Sequence, residues 1–111
     1  MKIMQLADLP EQEVRHNPAI KKKIMVGYHE LGTITQFSQA VFPPGSCAPA
    51  HQHQDMAEVF FIESGTGRIS IDGVDHKLEP GVCAVIDLHE DHEIENTGDE
   101  NLVITFFGIN V

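Results

Sequence analysis

From Ile24 onward the chain alternates short apolar runs with turn-forming residues. The runs are Ile24 to Tyr28, Thr33 to Phe42, Ala50 to His53, Glu58 to Glu63, Gly67 to Ile71, Val74 to Leu78, Val82 to Asp87, His92 to Glu95 and Leu102 to Ile109. Each has the length of a strand. Pro43-Pro44-Gly45, Gly65-Thr66-Gly67, Asp72-Gly73, Pro80-Gly81 and Thr97-Gly98-Asp99 separate them, and these residue types favour turns. Many short strands at close spacing predict an all-β sandwich or barrel. Asp72-Gly73 predicts a tight hairpin between Ile71 and Val74, because a type I′ turn needs positive φ at both central positions. Residues 1–23 show no clean period. They read as an N-terminal arm packed on the barrel or on a second subunit, with residues 24–111 as the barrel domain. Within the arm, Leu9 to Val14 predicts one helical turn with Asp8 as its cap.

Alternation also assigns faces. Glu58, Phe60 and Ile62 share one face of their strand, and His92, Ile94 and Asn96 share one face of theirs, opposite Glu93 and Glu95. If the apolar members mark the interior, Glu58 and His92 point inward too. A lone buried carboxylate costs several kcal/mol, and coordination to a metal removes most of that cost. Val59 and Phe61 lie on the other face from Glu58, and Val103, Phe107 and Ile109 alternate with Leu102, Ile104 and Phe106. Strands apolar on both faces have a second surface to bury, so a homodimer through apolar sheet faces is expected.

The candidate chemistry sits in two clusters. His51 and His53 stand two apart, so an extended strand presents both imidazoles on one side. Glu58 follows after a short break and offers a carboxylate to the same point. Two nitrogens and an oxygen converging on one spot suit a borderline divalent metal. The second cluster, His89, Glu90, Asp91, His92 and Asn96, can supply a further ligand.

This spacing resembles the cupin family. The family's first motif reads Gly, five residues, His-x-His, three or four residues, Glu, six residues, Gly. Gly45, His51, His53, Glu58 and Gly65 fit it throughout. The second motif reads Gly, five residues, Pro-x-Gly, two residues, His, three residues, Asn. Gly81, His92 and Asn96 fit, while Asp87 stands where proline is usual and His89 where glycine is usual. The resemblance covers Thr33 to Phe107 and implies a double-stranded β-helix, or jelly-roll, barrel. It implies a ligand set of His51, His53, Glu58 and His92 around one divalent transition metal (Fe, Mn, Ni, Zn or Cu). On an octahedral ion this set leaves two adjacent positions open. With one anionic ligand the site keeps a net charge of about +1 and attracts an anionic substrate group.

Small cupins include dioxygenases, sugar isomerases and epimerases, and decarboxylases. The expectation is a metal-dependent oxygenase or related oxidoreductase acting on a small organic molecule. Phe60, Ile62, Ile94 and Phe106 would form the apolar pocket wall. His89 would stand near the mouth as proton donor or substrate contact, or as an exposed turn residue. Asn96 is expected to fix a turn. A phosphosugar substrate fits less well, because no basic pair or glycine-rich loop lies near the motifs. The alternatives are a non-catalytic small-ligand or metal-binding module of sensor type, a sugar isomerase or epimerase, and a purely structural barrel. Tyr28 and Gln36 are further pocket candidates without support from spacing. His16, His29 and His76 lack partners at ligand spacing and read as surface or structural residues.

Charge narrows the partners. The net charge of −10 argues against nucleic acid. Residues 78–111 hold eight acidic residues and no lysine or arginine, whereas five of the seven basic residues precede Ile24. The run Lys21-Lys22-Lys23 reads as a solvated segment in preference to an arm lying over acidic strands. Cys47 and Cys83 make no disulfide framework and read as buried thiols. No apolar stretch approaches a membrane span. The first residues lack the apolar centre of a signal peptide, so a cytoplasmic location is expected.

Overall fold

The computed structural model describes all residues, 1–111. Ten strands form two antiparallel sheets: β1 (Gln12–Val14), β2 (Asn17–Val26), β3 (Ile34–Phe42), β4 (Cys47–His51), β5 (Met56–Ser64), β6 (Gly67–Ile71), β7 (Val74–Leu78), β8 (Cys83–Ile86), β9 (His92–Asn96) and β10 (Leu102–Asn110). The larger sheet has the order β1-β2-β3-β10-β5-β8, and the smaller β4-β9-β6-β7. The crossing of chain order between the sheets is that of a jelly-roll barrel. The only helical piece is a 3-10 turn at Leu6–Asp8. No helix is long and apolar enough to cross a membrane.

The inner faces follow the period of two. Ile62, Leu102 and Ile104 from the larger sheet and Ile69, Leu78 and Ile94 from the smaller sheet are buried in one cluster. Two turns hold the geometry. At β6–β7, Asp72 (φ 49°) and Gly73 (φ 81°) both take positive φ, and Ile71 pairs with Val74. This is the hairpin the Asp-Gly pair predicts. At Gly65 (φ 85°) an added Cβ would run into the Asn101 carbonyl and the Leu102 backbone, so only glycine lets β10 start beside the end of β5. Asn96 is buried and ties three segments. Its amide donates to the carbonyls of Phe42 and Glu100, each at 2.8 Å, and its oxygen accepts from the Gly98 N–H at 2.9 Å. The turn-fixing role expected for it is what these bonds perform.

The arm differs from expectation. No break falls at residues 23 and 24, because β2 runs through that point into the larger sheet. The helical turn precedes Leu9, and Gln12–Val14 is a strand. The lysine run concealed a period of two. Lys22 pairs with inward-facing Ala40, and Ile20 is fully buried, while Lys21 and Lys23 pair with Val41 and Gln39 on the outer face. Lys22 is therefore half-buried, not solvated.

The outer face of the larger sheet carries an apolar band. Phe37, Phe107, Val59 and Val85 form one cross-strand row over β3, β10, β5 and β8. Val85 in this row is 67% exposed, and Phe61 beside it 42%. The thiols are free, but not both buried as expected. Cys83 is exposed on the outer face of β8, and Cys47 is half-buried, with its pKa pushed up by burial and then by Glu93 and Glu95.

Candidate metal centre

The two sheets bring four side chains together. His51 ends β4 and His92 begins β9, and the two are direct cross-strand partners. Their ring centroids lie 4.3 Å apart. His53 lies past the end of β4, so the two histidines do not share one strand as the spacing suggests. A hydrogen bond from the His89 N–H to the His53 carbonyl, 2.8 Å, anchors that loop against the β8–β9 turn. The His53 ring then stands 5.0 Å from that of His51 and 5.4 Å from that of His92. Glu58 arrives from the opposite sheet, on β5. One ligand atom from each of the four lies within 4.8 Å of all the others.

The imidazoles are oriented by their backs. A carbonyl can only accept, so the nitrogen facing it carries the proton. His51 Nδ1 donates to the Pro49 carbonyl at 2.8 Å, and His92 Nδ1 to the Glu90 carbonyl at 3.0 Å. Each bond leaves Nε2 free toward the centre, as metal-ligating histidines require. Burial holds the His51 pKa below its usual value and outweighs the Pro49 carbonyl, which favours the neutral ring that ligates. For His92, burial works in the same direction, but Glu58 and the Glu90 carbonyl outweigh it and the pKa is raised. That proton is the one a metal would displace.

Two atoms carry the test of fit. Glu58 Oε1 and His92 Nε2 are both buried with no hydrogen-bond partner, although they lie 3.4 Å apart and His53 Nε2 is 2.9 Å from the same oxygen. The groups crowd together without a bond aimed at any neighbour. A cation among them gives each lone pair a partner. Three imidazoles and one carboxylate suit the later first-row divalent ions without selecting one.

The four residues line one end of a cavity of about 320 Å³. Phe60, Ile94 and Phe106 form part of its wall, as expected, with Phe60 and Phe106 stacked at 5.5 Å. Ile62 does not line it. One repeat further along β5, it is fully enclosed in the core. His89 is not among the lining residues either. It is exposed in the β8–β9 turn at φ 64°, a left-handed conformation costing a non-glycine residue about 1 kcal/mol. That conformation explains why glycine is usual there. From this position His89 serves the site through its backbone bond to His53. The turn survives without the usual proline because Glu90 Oε1 accepts from the Asp87 N–H (2.7 Å) and Asp87 Oδ1 from the Leu88 N–H (2.8 Å).

The structure adds residues that spacing did not find. Lys22 of β2 and Arg15 and His16 of the β1–β2 turn enter the lining, with Gln36 and Met56. The His16 ring is 6.0 Å from that of His51, so His16 is a rim residue of the cavity. Of the two further pocket candidates Gln36 lines the cavity, whereas Tyr28 is 65% exposed and stacks on His29.

A chelator tests the cluster. At metal about 100-fold above its Kd, binding stabilises by about 2.7 kcal/mol, on the order of 10 °C in Tm for a chain this size. Excess chelator should lower the wild-type Tm by that amount and leave Glu58→Ala unmoved. Metal-free Glu58→Ala should melt close to metal-free wild type, because the burial cost of the carboxylate offsets its attraction to His53 and His92.

Comparison with known proteins agrees with this architecture. An oxalate-binding protein of Thermotoga maritima is 29% identical over 99 residues, which span 89% of this chain and 69% of that protein. The crystal structure of a predicted oxalate decarboxylase, also from Thermotoga maritima, superposes with a TM-score of 0.90 at 21% identity, covering 99% of this chain and 100% of that one. A sugar phosphate isomerase of the cupin superfamily from Silicibacter pomeroyi gives 0.83 at 15% identity, over 99% and 76% of the two chains. At such identities the two structures speak for the fold alone. The family model of the cupin domain matches residues 38–108, well over half of the chain, and the protein belongs to the cupin family.

Proposed function

We propose that the protein is a metal-dependent enzyme of oxygenase or related oxidoreductase type, acting on a small organic anion held in the barrel. One observation carries the reading. The cluster of His51, His53, Glu58 and His92 forms one end of a cavity whose remaining wall combines aromatic and aliphatic side chains with an inward ammonium, Lys22. A volume of about 320 Å³ is near the lower end of small-ligand cavities, roughly 300 to 1,000 Å³, so the substrate is small. His51, His53, Glu58 and His92 would hold a divalent ion, which would supply a Lewis acid and a template for the substrate. Phe60, Ile94 and Phe106 keep water from the reacting end. Isomerisation needs an acid and a base on either side of the substrate. Once the cluster is committed to metal, the ionisable side chains left in the cavity lining are Arg15, His16 and Lys22. Arg15 and His16 come from the β1–β2 turn and Lys22 from β2, one continuous stretch of chain, which favours oxidative chemistry.

A second reading is a binding module without turnover. Its support is the relative named as an oxalate-binding protein. Protein loaded in turn with Fe(II), Mn(II), Ni(II), Cu(II) and Zn(II) separates the two when presented with catechols, diketones, 2-hydroxy acids and oxalate. Metal-dependent oxygen uptake, absent in Glu58→Ala, supports the enzyme. Ligand binding by calorimetry with no consumption under any metal supports the module and ends the oxygenase reading.

The proposal includes a second copy of the chain on the outer face of the larger sheet. A row of Phe37, Phe107, Val59 and Val85 is complementary to itself across a two-fold axis, and a monomer seldom leaves such a face to water. Sedimentation should show a dimer for the wild type and a monomer for Val85→Glu. A monomeric wild type contradicts it.

A further inference from the structure

Lys22 occupies a position that a barrel core ordinarily gives to an apolar residue. It lies on β2 between Ile20 and Ile24 in the inward set, opposite Ala40. Its side chain reaches the cavity that holds the His-Glu cluster. An ammonium has three N–H donors, and the protein supplies one partner, Gln36 Oε1 at 3.2 Å. That oxygen is already shared, since it accepts from Ser38 Oγ at 2.8 Å. Gln36 is a neutral group, so it does not balance the charge. Burial pulls the Lys22 pKa down, and the charge felt in opposition is that of Glu58.

That arrangement changes when the cluster holds a divalent cation. Glu58 is then a ligand, and its charge is taken up by the ion. The half-buried ammonium is left with no carboxylate among the cavity's lining residues, of which Glu58 alone is acidic. A partly desolvated charge without a counter-charge is costly. An incoming anion removes that cost, and a charge-assisted hydrogen bond is stronger than a neutral one.

Resting on the metal-site reading above, we infer that Lys22 is the specificity-determining residue of the cavity. Its ammonium binds the second carboxylate of a small dicarboxylate whose first carboxylate and adjacent oxygen occupy the open positions of the metal. The substrate class is therefore a small dicarboxylate bearing a 2-hydroxy or 2-oxo group, in keeping with a cavity at the small end of the range. Arg15 also lines the cavity but is exposed and solvated, so it gains less from an anion. Gln36 positions the Lys22 head, with Ser38 holding Gln36.

Calorimetry on the full chain loaded with Mn(II) tests this with two probes, lactate and malate. Both present the same 2-hydroxycarboxylate to the metal, and only malate carries a second carboxylate. Wild type should bind malate at least about 10-fold more tightly than lactate, the scale of one hydrogen bond to a charged group. Lys22→Met should abolish that preference, so that malate binds no more tightly than lactate. Lys22→Arg should restore part of it. Lys77→Met, which removes the same charge from the exposed strand β7, should keep the full preference. Lactate bound but malate no tighter overturns the role of Lys22 alone. A Lys22→Met loss that is equal for both probes, or matched by Lys77→Met, also overturns it. If neither acid binds the metal-loaded wild type, the underlying reading of open metal positions fails, and the inference fails with it.

Discussion

A carboxylate buried between two β-sheets sets the terms for this protein. Glu58 projects from β5 into the barrel and is 6% exposed. Its Oε1 faces imidazoles from the other sheet without a hydrogen bond to any of them. Removing a carboxylate from water without a partner costs several kcal/mol, and folding stability is itself only about 5 to 15 kcal/mol. The surroundings fit a bound cation. His51 and His92 turn Nε2 toward the same point because Pro49 and Glu90 hold their other nitrogens. In that reading the ion would link the sheets: three ligands come from the β4–β9 side and one from the larger sheet. Metal affinity and barrel stability would then be one quantity measured in two ways.

The rest of the site follows from where the strands end. The ligands from the smaller sheet lie at or just beyond strand termini, where the chain turns and backbone carbonyls are free to accept from ring nitrogens. Toward the closed end the same inward positions carry Ile62, Ile69 and Leu78, and the interior is packed solid. Toward the open end they carry Lys22, Gln36 and the cluster, and a cavity remains. Asn96, buried at the far end of β9, is instead satisfied by backbone bonds to Phe42, Glu100 and Gly98. The N-terminal strands close the cavity's side and contribute its cations, so they belong to the site as much as the motif residues do.

Much of this architecture was legible from the chain because its strands obey strict alternation. Gly67–Ile71 and Val74–Leu78 match the expected runs to the residue, and the Asp72-Gly73 turn between them has the required backbone. The cluster was legible because His51, His53, Glu58 and His92 stand at the positions of the two cupin motifs, and the fold brings them together. What stayed hidden has a common cause. Period-two reasoning treats an inward position as apolar, and Lys22 breaks that rule at the place where the interior is polar. Three consecutive lysines then look like a solvated segment, and β2 is lost with them. The reverse error applies to Ile62, whose parity is right but whose depth along the strand places it below the cavity floor. Parity gives the face of a residue and says nothing of its height in the barrel. His89 shows a third limit. A positive φ at a non-glycine residue leaves no mark in composition, and neither does the backbone bond from His89 to the His53 carbonyl.

The most direct measurement of the central claim is elemental analysis of protein purified without added metal, repeated after loading and dialysis. Wild type should retain one divalent transition-metal ion per chain, and Glu58→Ala and His92→Ala should retain none while still giving the circular dichroism of a β-barrel. Wild-type stoichiometry in those two variants, or a loaded wild type that loses all its metal on dialysis, would contradict the account.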